Sequence, residues 1–270
     1  SKEGYKVTIF DTKISKHKKK NQKFIKGNIL DRKKLIKAIK GAKFVFHFAA
    51  LSDMDFARTR PMMSAKINII GTINVLEICK LNRVKRFIFA SSIYANTEEG
   101  GFYGSSKQSA ENYIEKYQKT FGLNYTILRF GSLYGSRADS SNGINAIILS
   151  GLKKKKLTYS GTKKAARKYI HVKDAVEACK KVLNKKYNNK YLTITGKTLV
   201  KVRNLMHIIA KELKISKNKI YFLNKKDEVG HYDIKPTQFK PRLGDKISIN
   251  EKNKFQKNII NLIKENEKIS

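Results

Sequence analysis

Apolar and polar positions alternate in two different periods along this chain, and the change of period marks its elements. The opening stretch GYKVTIFD reads as a short strand, Tyr5 to Phe10, ending on the acidic Asp11. Phe24-Ile25 predicts a second short strand. DRKKLIKAIKG predicts a helix capped by Asp31 and stopped by Gly41. KFVFHFAA is continuously apolar, as strands of buried parallel sheets are. A long helix is expected from Pro61 to Asn82, with Ile67, Ile70, Val75 and Ile78 among its apolar positions. RFIFASS then reads as a strand, YGSSKQSAENYIEKYQKTFG as a helix closed by Gly122, and NYTILRF as the next strand. This alternation predicts an α/β, doubly wound parallel sheet of Rossmann type.

The second half is less regular. It predicts helices near 141–152, 173–185 and 201–213, short strands near 157–159, 168–171 and 219–223, the strand YLTIT, and a helical tail over 253–266. That mixture suits a smaller C-terminal substrate lobe. The division expected is a dinucleotide-binding domain over 1–135 with 167–187 packing back on it, and a lobe over 136–166 and 188–270.

Composition narrows the class. The 270 residues suffice for a sizeable core, and 40% apolar with 10% aromatic residues fit a folded protein. The longest apolar run, Phe44 to Leu51, is far short of the roughly 20 residues of a membrane span, so no membrane partner is expected. Polar residues 1–4 lead straight into the first strand and leave no secretory signal. Cys79 and Cys179 lack metal-type spacing and read as reduced buried thiols of a cytoplasmic chain. Lys and Arg number 59 against 21 Asp and Glu, a formal charge of +38. The lysines are spread over most elements, and no aromatics are interleaved with the dense runs 13–23 and 153–156. Specific nucleic-acid binding is therefore not expected, while attraction of anionic substrates is. A basic, non-catalytic polyanion-binding module is the alternative from another class.

The chemistry concentrates in FIFASS followed by FYGSSKQSAE. Tyr103 and Lys107 lie one turn apart on one helix face. An ammonium beside a phenol favours the phenolate, which makes Tyr103 a candidate base for a hydroxyl proton. Ser92, just past the end of a central strand, can bond the same oxygen. Asp11 ends a strand as ribose-binding carboxylates do, yet the glycine-rich loop that stands about 20 residues before such a carboxylate would precede Ser1. His47 reads as a satisfied core histidine, His171 as structural, Tyr134 as packing, and Asp174 as a helix cap.

In this order (strand, serine pair, Tyr-x-x-x-Lys helix, strand) the chain resembles the extended short-chain dehydrogenase/reductase family, NAD-dependent epimerase/dehydratases of the UDP-glucose 4-epimerase kind. VFHFAA, NIIGTINVLE, LRFGSLYGSR, RKYIHVKDA and GHYDIKPTQFKPRLGDK resemble further family segments, over about residues 4 to 250. The resemblance implies NAD as cofactor, held by Asp11, Asn28, Ile29, Phe48, Ala49, Ala50, Asn68, Tyr103 and Lys107. It implies catalysis by Tyr103, Lys107 and Ser92, and a nucleotide-sugar substrate contacted by Ser92, Ser132 and Arg167. No metal is implied. A homodimer through helices 64–82 and 103–120 is expected on the same basis.

Three departures qualify the resemblance. The family's first strand and glycine loop have no counterpart, so Val7 to Phe10 and the strand of Phe44 lose a shared neighbour and the sheet is expected to be N-terminally incomplete, the chain a fragment. Ile93-Tyr94 stand where the family's dehydratases carry an Asp-Glu pair, which favours epimerase chemistry. Ser132 stands where galactose-type epimerases carry Asn, so the sugar is open. A reductase or decarboxylase of the same family is the nearer alternative.

Overall fold

In the computed structural model, residues 4–223 are described. Four parallel strands form the main sheet in the order β10-β5-β4-β3. These are β3 (Phe44–His47), β4 (Arg86–Ser92), β5 (Tyr125–Phe130) and β10 (Lys190–Ile194). The first two strands, β1 (Val7–Asp11) and β2 (Gln22–Lys26), pair in parallel with each other as a separate sheet. In the 3-2-1-4-5-6 order of dinucleotide-binding sheets, the break between β1 and β3 falls where the shared central strand belongs. Burial follows: β4 and β5 are almost wholly buried, whereas no residue of β1 or β2 is.

Side chains of the central strands alternate between two helical layers, as strand pleating requires. Phe87 and Phe89 of β4 face one core with Ile29, Leu35, Val75, Ile78 and Ile114. That layer contains α1 (Arg32–Ile39), the helical segment Pro61–Leu81 and α5 (Gly101–Phe121). Asp31 caps α1, its Oδ1 accepting from Lys34 N at 3.1 Å. Ile88, between the two phenylalanines, faces the other core with Leu128 and Val182, beside α7 (Val172–Lys181). The sheet is thus covered on both faces.

A short helix, α2 (Met54–Thr59), was not expected; Asp53 caps it through Phe56 N at 2.9 Å. The long helix is α3 (Pro61–Ala65), a π turn over Lys66–Ile70, and α4 (Gly71–Leu81). By length and composition alone these 21 residues could cross a bilayer, but 44% of their most apolar 18-residue window is buried within the protein, as in a core helix.

A further core gathers Ile147 of α6 (Gly143–Lys154), Leu157 and Tyr159 of β7 (Leu157–Tyr159), and Val202, Met206 and Ile209 of α8 (Val202–Glu212). Three short strand pairs surround it and the strand ends. β6 (Ser132–Tyr134) runs with β9 (Tyr169–His171), β8 (Ala166–Arg167) with β11 (Val200–Lys201), and β7 with β12 (Ile220–Phe222). One boundary needs correction: residues 190–194 were placed in the lobe, but they form β10 and pair with β5 in the main sheet, Lys190 opposite Thr126. The helical tail over 253–266, the stretch GHYDIKPTQFKPRLGDK and the rest of the lobe beyond 223 lie outside the described residues.

Candidate active site

β4 delivers Ser91 and Ser92 to the carboxyl edge of the sheet, where ligands of open parallel sheets bind. A tight turn over Ile93–Asn96 follows, with Ser92 Oγ accepting from Tyr94 N at 3.2 Å. Helix α5 packs directly on this turn: a side chain at Gly104 would meet the Tyr94 carbonyl oxygen at 2.5 Å. That close approach brings the Tyr103 phenol beside Ser92, close enough for the serine hydroxyl to favour the phenolate. Lys107, one turn further, is 3% exposed. Its Nζ donates to the Ala90 carbonyl at 2.8 Å and lies 4.7 Å from the Phe89 ring centre and 5.9 Å from that of Tyr103.

The three predicted catalytic residues therefore converge, but their electrostatics differ from the expectation. Burial pushes the Tyr103 phenol up, opposed only by the Ser92 hydroxyl. The Lys107 ammonium points to a carbonyl, not to the phenol, and burial lowers it to about 8 with Glu111 pulling the other way.

Of the predicted cofactor residues, several occupy exposed positions at strand ends. Asp11 is exposed at the end of β1, and its Oδ1 accepts from Lys13 N at 3.0 Å and Thr12 Oγ1 at 3.3 Å. Asn28 is exposed beside it, past β2, and Phe48 and Ala49 are exposed beyond β3, with Ala50 half-buried. These exposed positions could take a ribose and a flat ring laid across strand ends, whereas Lys107 is buried and bonded to Ala90 O.

Two assignments are corrected. The Ile29 side chain is 7% exposed and packs into the core against Gly71, so it does not line a ligand. Asn68 is 1% exposed, and its amide group is engaged within the protein. It donates to Leu51 O at 3.0 Å and Ser106 Oγ at 2.9 Å, and accepts from Leu51 N at 2.7 Å. It holds the loop after β3 rather than a cofactor, and it sits in the π turn, a distortion frequent at functional sites. No Gly-x-x-Gly-x-x-Gly segment occurs in the sequence, so the described residues bring exposed Asp11, Asn28 and Phe48 to the strand ends but no glycine cradle for a pyrophosphate.

On the other side, Ser132 opens β6 and is half-buried. Arg167, on β8, donates to Tyr159 Oη at a long 3.5 Å. Tyr134 packs edge-on against His171, which caps α7 through Lys173 N. The expected cap at Asp174 is thus taken by His171, with Asp174 in the first turn.

His47 is the core histidine expected. Thr72 Oγ1 donates to Asn68 O at 2.6 Å, so it must accept from His47 Nε2 at 3.0 Å, which fixes a neutral imidazole protonated on Nε2. Burial, reinforced by the Lys107 charge, lowers its pKa from 6.5 to about 3. Between those values the unfolded chain holds a proton that the folded chain refuses, so stability falls as pH falls. Over the first unit below pH 6.5, denaturant titrations should show the parent losing about 1 kcal/mol more than a His47→Gln variant. Equal losses would mean that His47 titrates normally.

Sequence pattern alone did not single out Glu111, Arg129 or Ser91, which form a buried cluster behind Lys107. The only signal was the spacing of Glu111, four residues after Lys107.

Comparison with known proteins places the chain among sugar-nucleotide enzymes by similarity. The model of the NAD dependent epimerase/dehydratase family matches residues 1–194. A putative UDP-glucose 4-epimerase of Methanocaldococcus jannaschii is 30% identical, covering 97% of this chain and 92% of the relative. A dTDP-D-glucose 4,6-dehydratase of Dictyostelium discoideum is 31% identical over 62% of this chain and 45% of its own length. The crystal structure of a UDP-glucose 4-epimerase with UDP-glucose from Thermotoga maritima superposes with a TM-score of 0.76 at 27% identity, covering 85% of this chain and 81% of that one.

Proposed function

Because the chain belongs to the NAD-dependent epimerase/dehydratase family, we propose that it is a nucleotide-sugar 4-epimerase acting on a UDP-hexose. The family's cofactor is NAD. When bound, NAD supplies a hydride acceptor that takes hydrogen from a sugar carbon and returns it. This chain's residues supply the rest: Tyr103 removes and restores the proton of the sugar hydroxyl, and Ser92 bonds the same oxygen. Lys107 holds a positive charge under both and would hold the cofactor's ribose.

The observation that carries the reading is the convergence of Tyr103 and Ser92 at the end of β4, with Lys107 buried one turn on. Ile93 and Tyr94 speak against dehydration, since neither supplies the carboxyl group expected to remove water. The test is conversion of UDP-glucose to UDP-galactose with NAD and without net NADH. Accumulating NADH would point to an oxidoreductase, and a 4-keto-6-deoxy product to a dehydratase.

We also propose a homodimer. Met62 and Ile70 on the 61–81 segment and Phe102 and Tyr113 on α5 are large apolar side chains left 46–82% exposed. Light scattering is expected to give twice the chain mass, and Ile70→Asp with Tyr113→Asp to give the monomer. A parent that is monomeric at micromolar concentration would rule the dimer out.

A further inference from the structure

We propose that Glu111 is a positioning residue of the active site, holding α5 on the ends of β4 and β5 and supplying the fixed negative charge against which Lys107 and Tyr103 titrate. The inference rests on the epimerase reading for its role in turnover, and on geometry for its existence.

Glu111 is 2% exposed. Arg129 grips its carboxylate with two bonds, Nε to Oε1 at 3.0 Å and Nη2 to Oε2 at 2.6 Å. Ser91 Oγ donates to Oε1 at 2.6 Å. Ser91 and Arg129 are register partners on adjacent strands, one row before Ser92 and Phe130. One carboxylate from α5 therefore ties together the two central strands immediately behind the reacting serine.

The contact is part of a series. Residues 103, 107, 111 and 115 follow one another at a spacing of four, on one face of α5. Tyr103 faces Ser92, Lys107 bonds Ala90 O, Glu111 bonds Ser91 and Arg129, and Glu115 accepts from Tyr191 Oη at 2.9 Å. Arg129 is held in turn, its guanidinium 4.5 Å above the Tyr191 ring. Helix α5 is thus fastened at every turn from its start to β10, and Glu111 is the one acidic fastener touching both central strands.

Position also gives Glu111 an electrostatic part. The groups facing Lys107 are Tyr103 and Glu111 on its own helix, neutral His47 from β3, and the Phe89 ring and Ala90 carbonyl from β4, with Arg129 of β5 bonded to Glu111. Ser106, beside it on α5, is bonded to Asn68 of the π turn. Among these Glu111 alone is anionic. Removing a negative charge lowers the proton affinity of every neighbour, so both Lys107 and Tyr103 would lose their protons at lower pH.

The experiment uses the full chain with Glu111→Gln and Glu111→Asp, UDP-glucose and saturating NAD, with kcat and KM followed against pH. Glu111→Gln is expected to move the whole profile toward acid by roughly one pH unit and to lower kcat, leaving the KM for UDP-glucose within about twofold. Glu111→Asp keeps the charge on a shorter arm, so its profile should stay in place while kcat falls. A uniformly lower profile at unchanged pH in Glu111→Gln would overturn the proposal.

A second readout needs no turnover: the phenolate absorbance difference between each background and its Tyr103→Phe partner, titrated with alkali. Tyr103 should ionise at lower pH in Glu111→Gln. That shift in a chain that does not epimerise keeps the role of Glu111 and removes the epimerase reading. Epimerisation with both titrations unmoved keeps the reading and removes the role.

Discussion

Replacing Tyr103 with Phe is expected to slow epimerisation of UDP-glucose by roughly 10²–10⁴-fold while leaving the fold and the KM nearly unchanged. The phenol is the most acidic hydroxyl at the end of β4, beside Ser92, and so the group there best able to accept and return a proton. Phenylalanine keeps the ring and its packing on α5 and deletes only that oxygen. The loss should therefore appear in kcat, as it does when a group acts in the transition state and not in binding. Because burial pushes the phenol up, the parent's rate should climb as pH rises from the acid side. Lys107, lowered to about 8, would end the climb by losing its charge on the alkaline side. The two groups are coupled, so the limbs belong to the pair. Turnover of Tyr103→Phe within about threefold of the parent would sink both the base assignment and the proposed mechanism.

The site's centre was legible because its signal is local. A strand ending in two serines and a Tyr-x-x-x-Lys opening a helix fix their own geometry once the helix packs on the turn. Partners that meet across the fold were not legible. Glu111 and Arg129 read as one more acid on a helix and one more base on a strand, and only the β4–β5 register unites them with Ser91. Asn68 could be placed near the site, but not its commitment to Leu51 and Ser106, because a sequence does not show how many of an amide's bonds are already taken. Ile29 was assigned from its position beside Asn28, whereas the turn after β2 leaves Asn28 exposed and tucks Ile29 into the core. YLTIT was recognisable as a strand, but nothing in five residues encodes which sheet it joins. The separation of β1 from β3 was legible for the opposite reason: strand order in this class of sheet is a general rule, so a missing neighbour leaves a gap at a known place.

The largest loss of stability from a single exposed-looking letter is expected at Arg86. On sequence it is an arginine opening an apolar strand; in the fold it is 3% exposed and holds the end of α7. Its Nη1 donates to Val182 O and, at 3.1 Å, to Asn184 O, while Nη2 donates to Leu183 O at 3.3 Å. Its guanidinium also lies 5.7 Å from the Phe44 ring centre, on the register partner of β3. Carbonyls past the last turn of a helix have no partners within it and carry the negative end of its dipole, so one planar cation meets three of them at once. Arg86→Ala would leave those carbonyls buried and unbonded beside a cavity, a loss of roughly 3 kcal/mol. In a chain of this size that corresponds to a Tm lower by about 6–12 °C. Arg86→Lys should fall in between, since an ammonium cannot reproduce the fork. Arg86 lies at the far end of β4 from Ser92, about 20 Å of extended chain away, so turnover per folded molecule should not change in either variant. A Tm within about a degree of the parent for Arg86→Ala would show that α7 ends without this clamp. A normal Tm drop with lost turnover would instead tie the two ends of β4 together, making the strand a rigid rod through which the clamp on α7 sets the position of Ser92.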